Sequence, residues 1–303
     1  MNKLSVCIPT YKRPEMLEHL LDRLLECNID NSLISSVVVI IVDNDPERSA
    51  EIVPPRFTGT NVNHTFEIRY FSYPVKGLSN VRNELIKRVI EENADYMLFM
   101  DDDEYPHPDW LNEMLKTLIN NNADMVRGPV VPVFEEGIPA SIRFWFKRKD
   151  YRNNEKIKKL ATGNLIIKTE TLKKLKVRFD ERFNFTGSED AYFGMQMHEK
   201  GASLYWTNRA MVYEFVPRDR TKLSWLMKRK HRGATNFVYK MRIEKKYGKM
   251  MYKFMVSVFY ILSGSAGLIM VPLPIKPRYW GILTISEGVG GLTGLFNYRP
   301  VGY

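Results

Sequence analysis

Apolar and polar positions alternate in blocks along this chain, and their spacing reads first as strand, helix, strand. Leu4–Ile8 is a short apolar run ended by Pro9-Thr-Tyr-Lys-Arg-Pro14. Met16, Leu17, Leu20, Leu21, Leu24 and Leu25 then recur at helical spacing, with Pro14 suited to the first turn. Val37–Val42 is an unbroken β-branched run, which predicts a strand buried on both faces, and it ends in Asp43-Asn-Asp45. Pro54–His64 reads as loop, Glu67–Ser72 as a weak strand, and Lys76–Glu92 as a loop leading into a helix capped by Ser79 or Asn80. Tyr96–Met100 is again wholly apolar and runs straight into Asp101-Asp-Asp-Glu104. A helix is predicted from Pro108 to about Asn122, then a strand over Asp124–Phe134. Pro129 and Pro132 interrupt that strand and place it at a sheet edge. Thr162–Lys168 reads as a strand, Thr169–Leu175 as a short helix, and Ala191–Lys200 as a helix opened by Thr186-Gly-Ser-Glu-Asp190.

Strands alternating with helices, and polar residues at strand ends, predict a doubly wound α/β fold. In such sheets ligands bind at the carboxyl ends of the strands. There is no G-x-G-x-x-G and no phosphate-loop lysine, so neither a dinucleotide site nor a P-loop is supported. Three adjacent aspartates repel one another unless a cation lies among them. Taken alone, such a run is a solvated acidic turn; placed after a buried strand, it suits a hard divalent ion, Mg²⁺ or Mn²⁺. Asp101 and Asp103 would share one face of an extended backbone. The glycine and glutamate of a calcium-binding EF-hand loop are missing. Arg82, beside a helix N-terminus, would attract phosphate. Glu189 and Asp190 at a helix start are favourable for the dipole alone.

The 303 residues allow one large domain or two modest ones, and the net charge of +10 points to an anionic partner. The basic residues concentrate after Arg143. Arg143–Lys159 mixes them with aromatics, as a solvated mobile loop would, or as a lid or acceptor contact would. Cys7 and Cys27 have no metal spacing and read as free thiols in a reducing compartment. The N-terminal apolar run is too short for a signal peptide, so the expected location is cytoplasmic. Trp225–Lys253 is basic and reads as helical. Phe254–Ile275 carries no charge and is long enough to span a bilayer. Its glycines, serines and two prolines suit an in-plane or re-entrant helix equally well. The positive charge before it fits an anionic cytoplasmic lipid surface, and Gly281–Phe296 would return along that surface.

The motifs, in this order, resemble the glycosyltransferase family two enzymes of the GT-A fold. Val6–Arg13 is similar to the family's opening strand and nucleotide loop, Val42–Asp45 to its base- and ribose-contacting turn, and Gly77–Asn83 to its diphosphate-side helix start. Phe99–Glu104 resembles its metal-binding D-x-D, and Gly187–Asp190 its catalytic acidic pair. Residues 212–233 look like those of bacterial exopolysaccharide glycosyltransferases. The resemblance implies a Rossmann-like, mostly parallel sheet flanked by helices over residues 1–220, with a helical membrane-associating region over 221–303. It implies inverting transfer of a sugar from a nucleotide diphosphate donor to a glycan or lipid-linked hydroxyl. Asp190 would be the base, and Glu189 would orient the acceptor. Pro9, Thr10, Tyr11, Arg13, Asp43, Asn44 and Asp45 would hold the nucleoside. Gly77, Asn80, Arg82, Asn83 and Asp102 would line the donor site. Asp101 and Asp103 would hold Mn²⁺ or Mg²⁺. Asn44 stands where many members have a second aspartate, and Glu214 where many have a histidine near the metal, which makes Glu214 a candidate third ligand. The rival readings are a nucleotide-sugar-binding protein without turnover and a basic nucleic-acid-binding protein. No nucleic-acid module is visible, so no nucleic-acid partner is expected.

Overall fold

The computed structural model describes residues 1–57, 66–269 and 275–296. Its first half runs β1 (Asn2–Thr10), α1 (Pro14–Leu25), β2 (Ile34–Asp43), β3 (Phe66–Ser72), α2 (Leu78–Glu91), β4 (Tyr96–Phe99), β5 (Glu104–Pro106), α3 (Trp110–Asn120), β6 (Met125–Arg127) and β7 (Val130–Phe134). Then come α4 (Ala140–Arg143), β8 (Leu165–Lys168), α5 (Thr169–Leu175), α6 (Glu189–Glu199), β9 (Leu204–Trp206) and β10 (Val212–Val216). Three helices end it: α7 (Leu223–Ile243), α8 (Tyr247–Ile269) and α9 (Ile275–Leu295). Of the expected loop Pro54–His64, residues 54–57 form a 3-10 turn and the rest lies outside the described residues.

The chain forms two compact units, and it passes between them more than once. The first comprises Met1–Val133, Arg148–Asn184 and Glu189–Phe215; the second comprises Phe134–Lys147, Phe185–Ser188 and Val216–Tyr303.

The first unit is built on a seven-stranded sheet of order β3-β2-β1-β4-β8-β6-β9. β3, β2, β1 and β4 are parallel, β8 runs antiparallel to both neighbours, and β6 and β9 are parallel. Alternation along the strands feeds two cores. Leu4, Val6 and Ile8 pack with Val37, Val39 and Ile41 beneath α1 and α3. Cys7, Val38, Ile40 and Val42 pack on the opposite face with Val81, Leu85 and Val89 of α2 and Phe193 of α6. Each such side chain, fully buried, contributes on the order of 1.5–3 kcal/mol. β1 continues through Pro9 to Thr10, whereas the proline was expected to end it. β4 pairs with β1 only as far as Cys7↔Phe99, so the missing N–H of Pro9 falls beyond that ladder.

The proline-interrupted strand expected over Asp124–Phe134 is two strands. β6 lies inside the large sheet, not at an edge, and β7 is an edge of a small sheet of order β5-β10-β7. The prolines interrupt pairing between the two, so the edge rule holds only for the half that contains Pro132.

In the second unit Ile138, Ile142, Phe146, Val216, Leu226 and Leu283 form a separate core, with Phe146 stacked on Trp225. The basic segment Trp225–Lys253 is not one helix. It breaks at Lys245, whose φ of 53° is left-handed, and Lys246 N–H closes back on Met241 O at 2.8 Å. α9 returns antiparallel along α8. A Cβ on Gly264 would lie 2.7 Å from Gly281 O, and one on Gly288 2.7 Å from Ser257 O, so glycine is what lets the two backbones meet.

Candidate active site

Because β1, β2 and β4 are parallel, Thr10, Asp43 and Asp101 emerge at one edge of the sheet. The acidic run does not stay extended there. Glu104 N–H donates to Asp101 O at 3.1 Å, which closes residues 101–104 into a turn, and Asp101 N–H donates to the Glu104 carboxylate at 3.1 Å. The aspartates therefore take different partners instead of sharing one strand face. Arg82 donates to Asp101 at 3.3 Å. Thr10 Oγ1 and Arg13 donate to the two oxygens of Asp102 at 3.0 and 3.1 Å, and Arg13 reaches Asp103 at 3.4 Å.

Arginines thus offset part of the repulsion that an unpaired acidic run would suffer. They do not offset all of it. Burial pushes Asp102 up to about 6, against the pull of Arg13. Burial also raises Glu104 well above the usual carboxylate range, and Asp101 and Asp103 push the same way. Glu214 stands opposite Glu104 in the β5–β10 ladder and accepts from Arg148. Among the described residues no three His, Cys, Asp or Glu groups converge closely enough to hold a metal ion. The available donors are all hard oxygens, and Asp101, Asp102, Asp103, Glu104 and Glu214 outnumber Arg13, Arg82 and Arg148. Oxygen donors of this kind are the ligand type that Mg²⁺ and Mn²⁺ prefer.

Several expected nucleoside contacts face inward. Asp43 is fully buried and accepts from Asp45 N–H, Ala50 N–H and Tyr70 OH. Asn44 donates to Tyr73 O and Val75 O and accepts from Gly77 N–H, so it fastens the loop that leads to α2. Pro9 is inside β1, and Asp45 is buried 3.9 Å from Lys12. Tyr11 and Lys12 are exposed and Arg13 is half-exposed, so of the expected contacts in that loop Tyr11 and Arg13 reach solvent.

Gly77, at φ 124°, begins α2, and neither Ser79 nor Asn80 caps it. Ser79 Oγ instead donates to Asp180 O, and Asn184 Oδ1 accepts from Asn80 N–H at 3.1 Å. A Cβ on Gly77 would lie 2.2 Å from the Asn184 side chain. Asn83 clamps Phe179 with paired amide bonds of 2.8 Å and is a structural contact.

Arg82 links the two acidic motifs. It is 4% exposed and binds Glu189 as well as Asp101. Burial raises the Glu189 carboxyl while Arg82 holds it down, and among the described residues its second oxygen has no hydrogen-bond partner. Asp190, one residue on, is half-buried and accepts only from Ala191 N–H among the bonds described. The structure thus brings Asp101, Arg82 and Glu189 together.

Glu104, Arg148, Asn184 and Arg127 were not assigned from the sequence. Glu104 sits inside the acidic motif, so its signal was adjacency. Arg148 lay in a basic stretch with no periodicity, and Asn184 and Arg127 carried no sequence signal. Arg127 is largely buried over the Trp206 ring, where burial and Arg148 lower its pKa and Asp190 opposes them.

The helix-flanked, mostly parallel sheet with its acidic carboxyl edge defines a GT-A fold. Solved structures agree: Staphylococcus aureus TarS residues 1–349, in complexes with UDP and with UDP-GlcNAc, superpose with a TM-score of 0.55 at 15% identity, covering 96% of this chain and 91% of that one. Against the longer TarS structure the chain spans 55% of the length, with a TM-score of 0.54. In sequence, the family described as Glycosyl transferase family 2 matches residues 5–176, and Glycosyl transferase family group 2 matches residues 96–288. The succinoglycan biosynthesis protein ExoM of Rhizobium meliloti (strain 1021) is 30% identical over 237 residues, covering 76% of this chain and 72% of ExoM. The chain belongs to glycosyltransferase family 2.

Proposed function

We propose that this glycosyltransferase moves a sugar from a nucleotide diphosphate donor to a glycan hydroxyl carried on a lipid, in surface polysaccharide synthesis at the cytoplasmic face of the membrane. The observation that carries the reading is Arg82, buried between Glu189 and Asp101 at the ligand edge of the sheet. A fixed cation there suits the charge that develops on a departing diphosphate. The relatives support the substrate class: TarS is seen with UDP-GlcNAc, and ExoM acts in succinoglycan biosynthesis.

In this scheme the acceptor oxygen attacks the anomeric carbon as the bond to the diphosphate oxygen breaks, with inversion. Asp190 accepts the hydroxyl proton, and the nucleoside diphosphate leaves with the bonding pair. Arg13 and Tyr11 hold the nucleoside side, while Thr10 and Asp102 fix Arg13. A divalent ion would be held by Asp101 and Asp103, with Glu214 joining only by giving up Arg148; when bound it neutralises diphosphate charge.

Membrane association rests on α8. Met251, Phe254, Met255, Val258, Phe259 and Leu262 are exposed at helical spacing, and Tyr247–Leu268 is long and apolar enough to cross a membrane.

The test is Asp190→Asn with UDP-sugars. The expected result is transfer reduced about 10²–10⁴-fold, the usual cost of losing a general base, with donor affinity within a few-fold. Near-normal transfer in the variant would remove Asp190 from the chemistry. Donor binding without turnover by the native chain would favour a binding protein.

A further inference from the structure

Arg127 closes β6 within the first unit. β6 runs antiparallel to β8 and β8 antiparallel to β4, so Arg127 emerges on the same edge of the sheet as Asp101, two strands further from β1 and β2. Its side chain is largely buried, yet among the described residues its only hydrogen bond is a long one, 3.5 Å to Lys159 O, and its Nε–H has no partner. A guanidinium carries five N–H donors, so most of them are unused. The ring beside it repeats the pattern. Trp206 is 2% exposed, lies with its centroid 5.7 Å from the Arg127 guanidinium, and has no partner for its own Nε1–H among the described residues.

Cation and ring are held still. Trp206 N–H donates to Glu155 O at 2.9 Å, Trp206 O accepts from Asn154 N–H at 2.8 Å, and Tyr151 packs on the ring at 5.3 Å. The guanidinium is therefore placed before any ligand arrives, which lowers the ordering cost of binding. Idle buried donors are unfavourable unless a ligand oxygen meets them. The neighbours say which kind of oxygen. Asp190 attracts the Arg127 charge and Arg148 repels it, and Arg148 is already bound to Glu214. Asp190 accepts only from Ala191 N–H among the bonds described. An anionic ligand on Arg127 would be repelled by Asp190. A hydroxyl suits both, because it accepts from the arginine and donates its own proton to the carboxylate. Sugars present hydroxyls in adjacent pairs, which match the paired N–H groups of a guanidinium.

We infer that Arg127, seated on Trp206, binds the hydroxyl-bearing edge of a sugar and places that sugar against Asp190. This rests on the reading of Asp190 as the group that takes the acceptor proton, and it adds a sugar-positioning residue that none of the acidic motifs contains. The ligand class is a neutral sugar with adjacent hydroxyls. Donor and acceptor both supply that chemistry, and the experiment separates them.

The experiment uses the full chain. Calorimetry compares UDP with UDP-glucose and UDP-GlcNAc, and saturation-transfer NMR on the UDP-loaded protein follows methyl β-glucoside and methyl β-galactoside. Sugar-dependent binding is the gain of a UDP-sugar over UDP, or saturable glycoside binding. Arg127→Gln should weaken it about tenfold, in line with loss of one hydrogen bond to a charged group, and leave UDP affinity within about twofold. Arg127→Lys keeps the charge beside Trp206 without the fork, so it should hold the native melting temperature and still lose most sugar-dependent binding; it carries the test if the glutamine variant does not fold. A loss confined to the UDP-sugars assigns Arg127 to the donor sugar, and a loss confined to the glycosides assigns it to the acceptor; each supports the inference. Absence of sugar-dependent binding in the native chain, or binding unchanged in both variants, would overturn it and leave Arg127 as a support for Trp206. A matching loss of UDP affinity would overturn it in favour of a diphosphate contact. Sugar binding through Arg127 in a chain with no transfer activity would sink the catalytic reading of Asp190 and leave this inference standing.

Discussion

Arg82 has no room to bind a ligand with its whole guanidinium, because Glu189 occupies one side of it. Glu189 is 4% exposed, which makes it a poor acceptor-orienting group and a good positioning residue for Arg82. Glu189→Gln should therefore lower kcat with donor bound while leaving acceptor KM nearly unchanged, because the arginine loses its fixed aim in the transition state. A raised acceptor KM at unaltered kcat would restore the acceptor role expected from the sequence. The acidic turn makes a second prediction. Asp102 titrates near 6 in the fold, above its unfolded value near 4, so the folded state binds the extra proton between those values. Its stabilising contribution is present below the unfolded pKa and is lost as pH rises through about 6. Asp102→Asn should thus gain melting temperature relative to the native chain as pH goes from 5 to 7. Mn²⁺ should act in the opposite sense, stabilising the native chain more as pH rises, since it competes with protons for these carboxylates. A melting curve unmoved by Mn²⁺ across that range would end the metal proposal, and an Asp102→Asn difference independent of pH would end the titration assignment.

α8 and α9 show how one pair of helices meets two demands. Glycines on their shared face let the backbones approach, and the stripe from Met251 to Leu262 is left with no protein partner described. Lipid is the partner the proposed function gives it. Phe259→Glu, in the middle of that stripe, should release the protein from anionic vesicles by weakening apolar insertion, while high salt on the native chain should release it only in part. Complete release of the native chain by salt would make the attachment purely electrostatic.

The two units are not successive stretches of chain. The second takes Phe134–Lys147 from the middle of the sequence, and that segment brings Ile138, Ile142 and Phe146 to a core completed by Val216, Leu226 and Leu283. Deleting residues 221–303 should therefore leave those three side chains without Leu226 and Leu283. The expected product is a destabilised, dye-binding protein with a melting temperature lowered by several degrees, since each lost large apolar contact costs about 2–5 kcal/mol. A deletion product as stable as the intact chain would show that the internal segment needs no cover.

Local sequence determined the strands and most helices of the first unit, because β-branched runs and leucine spacing are strong and short-ranged. Val37–Val42 and Met16–Leu25 each lie inside an element, β2 and α1. Placement after a buried strand marked the acidic run as a candidate cation site, whereas the Glu189–Asp190 pair read only as favourable for a helix dipole and its catalytic role came from the family resemblance. What local sequence left out depends on residues far apart in the chain. The cap of α2 comes from Asn184, the partner of Glu214 is Arg148, and the strand read over Asp124–Phe134 splits between two sheets. Hydrophobic period reports which face of an element is buried, not which distant side chain meets it there. Only the tertiary structure decided that Glu189 faces Arg82 and that Asn44 is spent on a loop.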